Sequence, residues 1–211
     1  MYSVDTDFPA DSISRGTNLL VTGPPMTGKG DLLIRLLAEG FRHDEGAVVV
    51  TTQDGPNRVH ADITDRLGVE SVADLGVVDC TGQESGRTAD DRIRYVSSPA
   101  DLTGIGMASS ELIEAFTDRG RGTRMGLHSL SQLLMYADVK TVFRFLHILT
   151  GRISSADALG VCTLDSEAHD GQTVHTVRQL FDGMIETRTG RDSREFRVRG
   201  LDGVDDGWTP F

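Results

Sequence analysis

Seven residues near the start, Gly23-Pro24-Pro25-Met26-Thr27-Gly28-Lys29, constrain the fold more than any other stretch of the chain. They follow the spacing G-x-x-x-x-G-K, and the flanks are those such a loop needs. Before it, Asn18 to Thr22 (NLLVT) is a short apolar run that predicts a buried strand. After it, Leu32, Leu33, Leu36 and Leu37 recur at helical spacing until Gly40 supplies a stop. A loop so placed can turn successive backbone N–H groups inward as a cradle for phosphate oxygens. The helix N-terminus adds the positive end of its dipole, and Lys29 adds a full charge. Gly23 and Gly28 are expected to take backbone angles that side chains forbid. A turn that merely joins strand to helix needs no lysine.

The residues expected to line a nucleotide are Gly23, Pro24, Pro25, Met26, Thr27, Gly28, Lys29, Gly30 and Asp31. Gly30 is the departure that matters. It stands where the motif has Ser or Thr, whose hydroxyl ligates the Mg²⁺ that bridges nucleotide phosphates. Asp31 is no substitute, because the next position on a helix points about 100° away.

Strand and helix patterns alternate along the rest of the chain. Ala47 to Thr52 (AVVVTT), Gly76 to Asp79, Arg124 to His128, Ala158 to Leu164, Gly183 to Thr187 and Arg194 to Arg199 read as strands. Helices are expected over about 57–67, 111–118 and 173–181, and one long amphipathic helix over about 129–153. Such alternation predicts an α/β domain, with a mainly parallel sheet covered by helices on both faces. The last two strands, separated by TGRDS, predict an antiparallel hairpin at the sheet edge. Residues 1–211 read as a single domain with an N-terminal arm over 1–16. A long polar surface connection is expected over 80–102, and a tail over 201–211.

The formal net charge of −11 comes from 23 Asp and 9 Glu against 19 Arg and only 2 Lys. A field of that sign repels phosphate backbones, so nucleic acid is not an expected partner. The Asp-rich, Lys-poor usage looks like that of cytosolic proteins from salt-accumulating archaea. In molar salt a Debye length of about 3 Å screens the surplus carboxylates from one another. No apolar run reaches membrane-span length, and the first residues lack the charged and apolar regions of a signal peptide. A cytoplasmic protein without membrane contact is expected. Cys80 and Cys162 give neither a disulfide framework nor a metal spacing, and are expected to be small buried hydrophobes.

With loop and alternation in place, the sequence resembles the RecA/KaiC superfamily of P-loop ATPases over nearly its whole length. The likeness is to short, single-domain KaiC-like members of halophilic archaea. The family loop reads G-x-P-G-T-G-K-T, and its next strand ends in a catalytic Glu pair. Here VVVTTQDG places Gln53 and Asp54 at those positions. The family's Walker B strand ends in Asp-Ser-Leu, and here Leu127-His128-Ser129-Leu130 places His128 at the aspartate. A basic K-x-R-G near the final strands reaches a neighbouring subunit's nucleotide in the family. Arg197-Val198-Arg199-Gly200 resembles it, which makes Arg197 and Arg199 candidate interface fingers.

The resemblance implies a RecA-like fold, and its departures fall on one function. Gly30 and His128 remove metal contacts, and Gln53 removes a base or water-positioning group. A neutral imidazole suits Mg²⁺ poorly. The implied protein is a pseudo-ATPase with a signalling or regulatory role, taking ATP or ADP as ligand with little provision for Mg²⁺. A second copy or a regulatory protein stays open as partner. So do two alternatives: an atypical slow ATPase with a metal site rebuilt around Asp54 or another carboxylate, and an interaction protein with a vestigial loop.

Other residues have two readings each. His128 could be a metal ligand, a base or a hydrogen-bonded structural histidine. His169 and Asp170 follow a strand end and could line the ligand crevice, or sit in a solvated loop. Arg119, Arg121 and Arg124 read as a solvated basic turn. Trp208 and Phe211 are expected to dock the tail, with a partner anchor as the alternative.

Overall fold

A nine-stranded sheet carries the fold in the computed structural model, which describes residues 1–5, 7–82, 90–204 and 206–211. In chain order the elements are β1 Tyr2–Ser3, β2 Ser12–Ile13, β3 Asn18–Gly23, α1 Lys29–Phe41, β4 Gly46–Thr51 and α2 Pro56–Leu67. Next come β5 Leu75–Asp79, β6 Ile93–Tyr95, α3 Leu102–Thr117, β7 Thr123–His128, α4 Leu130–Tyr136 and α5 Val139–Ser155. The chain continues through β8 Leu159–Asp165, α6 Gly171–Arg178, β9 Gly183–Thr189, β10 Arg194–Arg199 and β11 Thr209–Pro210. The sheet order is β11-β10-β9-β3-β8-β7-β4-β5-β6. Every pairing from β9 across to β6 is parallel, and β10 and β11 add antiparallel at one side. The expected hairpin is therefore present, but β11 lies outside it at the edge.

Apolar runs without alternation become strands buried on both faces. In β3 and β4 every residue is buried, and successive side chains feed two separate cores. Leu19, Val21, Ala47 and Val49 pack under α1 and α2, whereas Leu20, Val48 and Val50 pack under α3 and α5. Helices thus cover both faces, as the alternation predicts. Because the central strands run parallel, β3, β4, β7 and β8 all end on one side of the molecule. Register keeps those ends level, with Gly23 opposite Asp165 and Thr51 opposite His128.

Several expectations are corrected. The long helix over 129–153 is two helices, α4 and α5. Asp138 takes extended angles between them, and its carboxylate accepts from the Thr141 N–H at 2.9 Å. That N-cap starts a new helix although the apolar spacing runs on across the break. The surface connection over 80–102 contains the edge strand β6 and the buried Cys80 and Val96. Residues 83–89 of it lie outside the described residues. Helix α3 starts at Leu102, nine residues before the expected 111, because Asp101 caps Gly104 N–H at 2.8 Å. The N-terminal arm is docked: β1 pairs with β2, and Tyr2, Phe8 and Ile13 are buried.

Arg124 is no part of a solvated turn. It is fully buried, where its guanidinium binds Glu45 at 2.6 Å, Leu36 O at 2.6 Å and Ser3 O at 2.7 Å. Cys80 and Cys162 are buried as expected, and burial pushes each thiol up to about 12. Among the described residues no helix is long and apolar enough to cross a membrane.

Candidate functional site

Residues 23–29 leave β3 and turn into α1 around three backbone devices. Gly23 has no room for a side chain, since a Cβ there would run into Thr187 Oγ1 and its carbonyl oxygen. Close approach, and not an unusual backbone angle, is what fixes glycine at this position. Thr27 Oγ1 donates to Pro24 O at 2.8 Å and shares a 2.7 Å bond with Thr187 Oγ1, tying the loop to β9. Left-handed angles fall at Met26 (φ 60°) and at Gly28 (φ 84°), the N-cap of α1. Gly28 thus behaves as expected, and Met26 carries a conformation that glycine would take more cheaply. Helix α1 begins without a side-chain cap on its N–H groups, leaving its first turn open to an external acceptor.

Lys29 folds back over this loop. Its Nζ donates to Pro24 O and to Gly23 O (2.9 Å), and lies 3.9 Å from Asp165 Oδ2. Burial lowers its pKa from the ordinary 10.5, against the opposing pull of Asp165 and Glu167. The ammonium is held by the loop's own carbonyl oxygens.

The neighbouring strand ends complete the floor. Thr51 Oγ1 donates to Asp54 O at 2.8 Å and accepts from Asp54 N–H at 3.1 Å, which fixes the turn after β4. Thr52 Oγ1 donates to His128 O at 3.0 Å, across the strand pair. The His128–Ser129 peptide bond is cis. His128 Nδ1 lies 2.8 Å from Thr163 Oγ1. Burial holds its pKa below the ordinary 6.5, with Asp54 pulling up and Lys29 pushing further down. The imidazole is therefore neutral at pH 7.

Two cavities meet at this end of the sheet. One, of about 600 Å³, lies over the loop and is lined by Met26, Lys29, Gln53, His128, Asp165 and Arg194. The other, of about 500 Å³, lies between α1 and α2 and includes Asp54, Asp62, Arg58 and Phe211. Gly30, Asp31, His128 and Arg194 line both. Each cavity is in the size range of small-molecule sites, about 300–1,000 Å³.

The structure thus gathers most of the sequence-predicted residues. Pro25, Met26, Gly28, Lys29, Gly30, Asp31, Gln53 and His128 line the first cavity and Asp54 the second, whereas Gly23, Pro24 and Thr27 line neither and shape the loop from behind. Arg197 and Arg199 do not join them. Arg197 binds Glu186 and lies 4.5 Å from the Trp208 ring centroid, and Arg199 lies 3.5 Å from Glu186. Asp170 caps α6 through the Thr173 N–H at 2.8 Å, and neither it nor His169 lines either cavity. Three contributors carry little or no local signal in the sequence. Thr163 and Asp165 arrive from β8 by register, and Arg194 arrives from β10 with its guanidinium bound to Asp31. The strand-end string Leu164-Asp165 was the one available hint.

A family model described as a family of unknown function (DUF7504) matches residues 16–187. The chain belongs to this DUF7504 family. No curated protein matches it. The DUF7504 match holds the loop, the ends of β4 and β7, Thr163 and Asp165. It stops at Thr187, before Arg194 of β10 and before Phe211, which follows β11.

Proposed function

We propose that this chain is a RecA/KaiC-like phosphate-loop domain that binds a nucleotide and responds to it without turning it over efficiently. The observation that carries the reading is the loop itself. A G-x-x-x-x-G-K turn leads into an uncapped helix, and Lys29 is folded onto loop carbonyls beneath a 600 Å³ cavity. Phosphate oxygens would take the N–H groups of the first turn of α1 and draw Nζ away from Gly23 O.

The residues do not fit the Mg²⁺ that such a site ordinarily uses. Gly30 offers no hydroxyl, and the neutral His128 imidazole occupies the space beside it. Imidazole is a poor ligand for a hard cation that prefers oxygens. Phosphoryl transfer depends on charge neutralisation and positioning, so slow turnover follows. The residues bind and orient a phosphate chain.

Calorimetry with ATP and ADP in molar KCl tests this reading, using Lys29→Ala as control. Micromolar affinity that collapses with Lys29→Ala is the expected result. Rapid Mg²⁺-dependent hydrolysis, abolished by the same substitution, would sink the pseudo-ATPase reading, and no binding at all would sink nucleotide recognition.

A further inference from the structure

Lys29 is one cation, and a nucleoside di- or triphosphate carries several negative charges. Gly30 and His128 do not supply the oxygen ligands of a metal that would share that load, so a second positive group is needed. Among the described residues lining the cavity over the loop, Lys29 and Arg194 are the two cations. We propose that Arg194, acting from its own chain, is that second group, and that the ligand is a nucleoside polyphosphate free of divalent metal. This deepens the proposed function and rests on it.

The placement of Arg194 is fixed by two strands. It is the first residue of β10, paired with Thr189 of β9, and its carbonyl accepts from Phe211 N–H at 2.9 Å. Its side chain therefore projects from a clamped backbone towards the start of α1. A Cβ built on Gly28 would lie 2.8 Å from Arg194 Nη1 and 2.9 Å from Phe211 Cζ. The guanidinium lies 5.3 Å from the Phe211 ring centroid, so the aromatic face holds it beside the loop.

What Arg194 now binds is weakly held. Its partner Asp31 is 65% exposed and Arg194 itself 41%. Exposed pairs of this kind contribute little, because water and salt screen them. A phosphate in a partly enclosed cavity offers the same fork a bidentate, charge-assisted partner. Exchange of Asp31 for phosphate is thus downhill, needs only a side-chain rotation, and leaves Asp31 in water. Arg197 and Arg199, three and five residues further along β10 and so on its other face, remain committed to Glu186 and take no part.

The test is calorimetric titration of ATP and ADP in EDTA and in excess Mg²⁺, at the lowest salt that keeps the protein folded. Wild type is compared with Arg194→Ala, Arg194→Lys, Asp31→Asn and, as a surface control, Arg191→Ala. In EDTA, Arg194→Ala should weaken binding at least tenfold and Arg194→Lys less. Asp31→Asn, which frees the guanidinium without removing it, should tighten binding several-fold, and Arg191→Ala should leave it unchanged. Mg²⁺ should weaken binding to wild type or leave it unaltered. If Arg194→Ala binds like wild type while Lys29→Ala does not, the loop reading stands and the role of Arg194 is lost. A strict Mg²⁺ requirement also overturns the proposal, and failure of wild type to bind either nucleotide overturns both readings. Should Arg194→Ala not fold, the Asp31→Asn result decides alone, and weaker or unchanged binding refutes the exchange.

Discussion

His128 and Gly30 face one another: a Cβ built on Gly30 would lie 3.5 Å from His128 Cε1 and 3.6 Å from Nε2, in ordinary van der Waals contact. A hydroxyl at position 30 would sit against an imidazole and not a carboxylate, and a carboxylate at 128 would find no hydroxyl to share a cation with. The two positions are coupled, so their substitutions should be non-additive.

Restoring oxygen ligands therefore takes both changes. Gly30→Thr or His128→Asp alone should leave nucleotide affinity indifferent to Mg²⁺. The double variant should bind at least tenfold more tightly with Mg²⁺ than in EDTA, by calorimetry. A single variant with the full Mg²⁺ effect would refute the coupling.

Acid stability should carry a His128 signature. Burial depresses its pKa in the folded state below 6.5. Above 6.5 both states are neutral and the group contributes no pH dependence. As pH falls below 6.5 the unfolded chain takes a proton that the folded chain refuses, so stability declines until the folded pKa is passed. His128→Gln should flatten that part of the curve, measured as urea midpoint against pH.

Met26 holds a left-handed angle with its side chain 93% exposed. No packing compensates for the backbone cost. Met26→Gly should stabilise the fold by ~0.5–1 kcal/mol after glycine's larger unfolded-state entropy is counted. A lower thermal midpoint for the variant would contradict this.

Glu45 neutralises Arg124, which has no exposed surface. Removing one member of a buried pair leaves an unmatched charge. Glu45→Ala should cost about 3–5 kcal/mol in urea unfolding. A loss below 1 kcal/mol would mean that the Leu36 and Ser3 carbonyls hold the guanidinium unaided.

The sequence displayed the sheet more fully than the site. Runs such as VVV in β4 need a solvent-free environment on both sides, and that requirement is written locally. The break at Asp138 was hidden because hydrophobic spacing measures which face is apolar, not whether the axis continues. Helix α3 was underestimated for another reason. Its first half, LTGIGMASS, is rich in small residues that suit a loop, yet Ser109 Oγ bonds Ile105 O at 2.7 Å within the buried face. In the site, the contiguous loop was legible, and so were Gln53, Asp54 and His128 at the strand ends. Arg194 was not, because its position depends on β9 lying beside β3 and on β11 closing over β10. No window of sequence contains those relationships.

The sheet's outer strands also decide how it meets other chains. Its rims are β6, with three residues, and β11, with two, one of them Pro210. Short rims, and a residue that cannot donate, give little template for a foreign strand. Behind β11 lies the six-residue β10, with Phe196 and Val198 alternating along it. Clipping the last few residues would strip Arg194, Glu195 and Phe196 of their β11-side partners and leave all of β10 as the rim, and the shortened protein would be more prone to self-association through added strands.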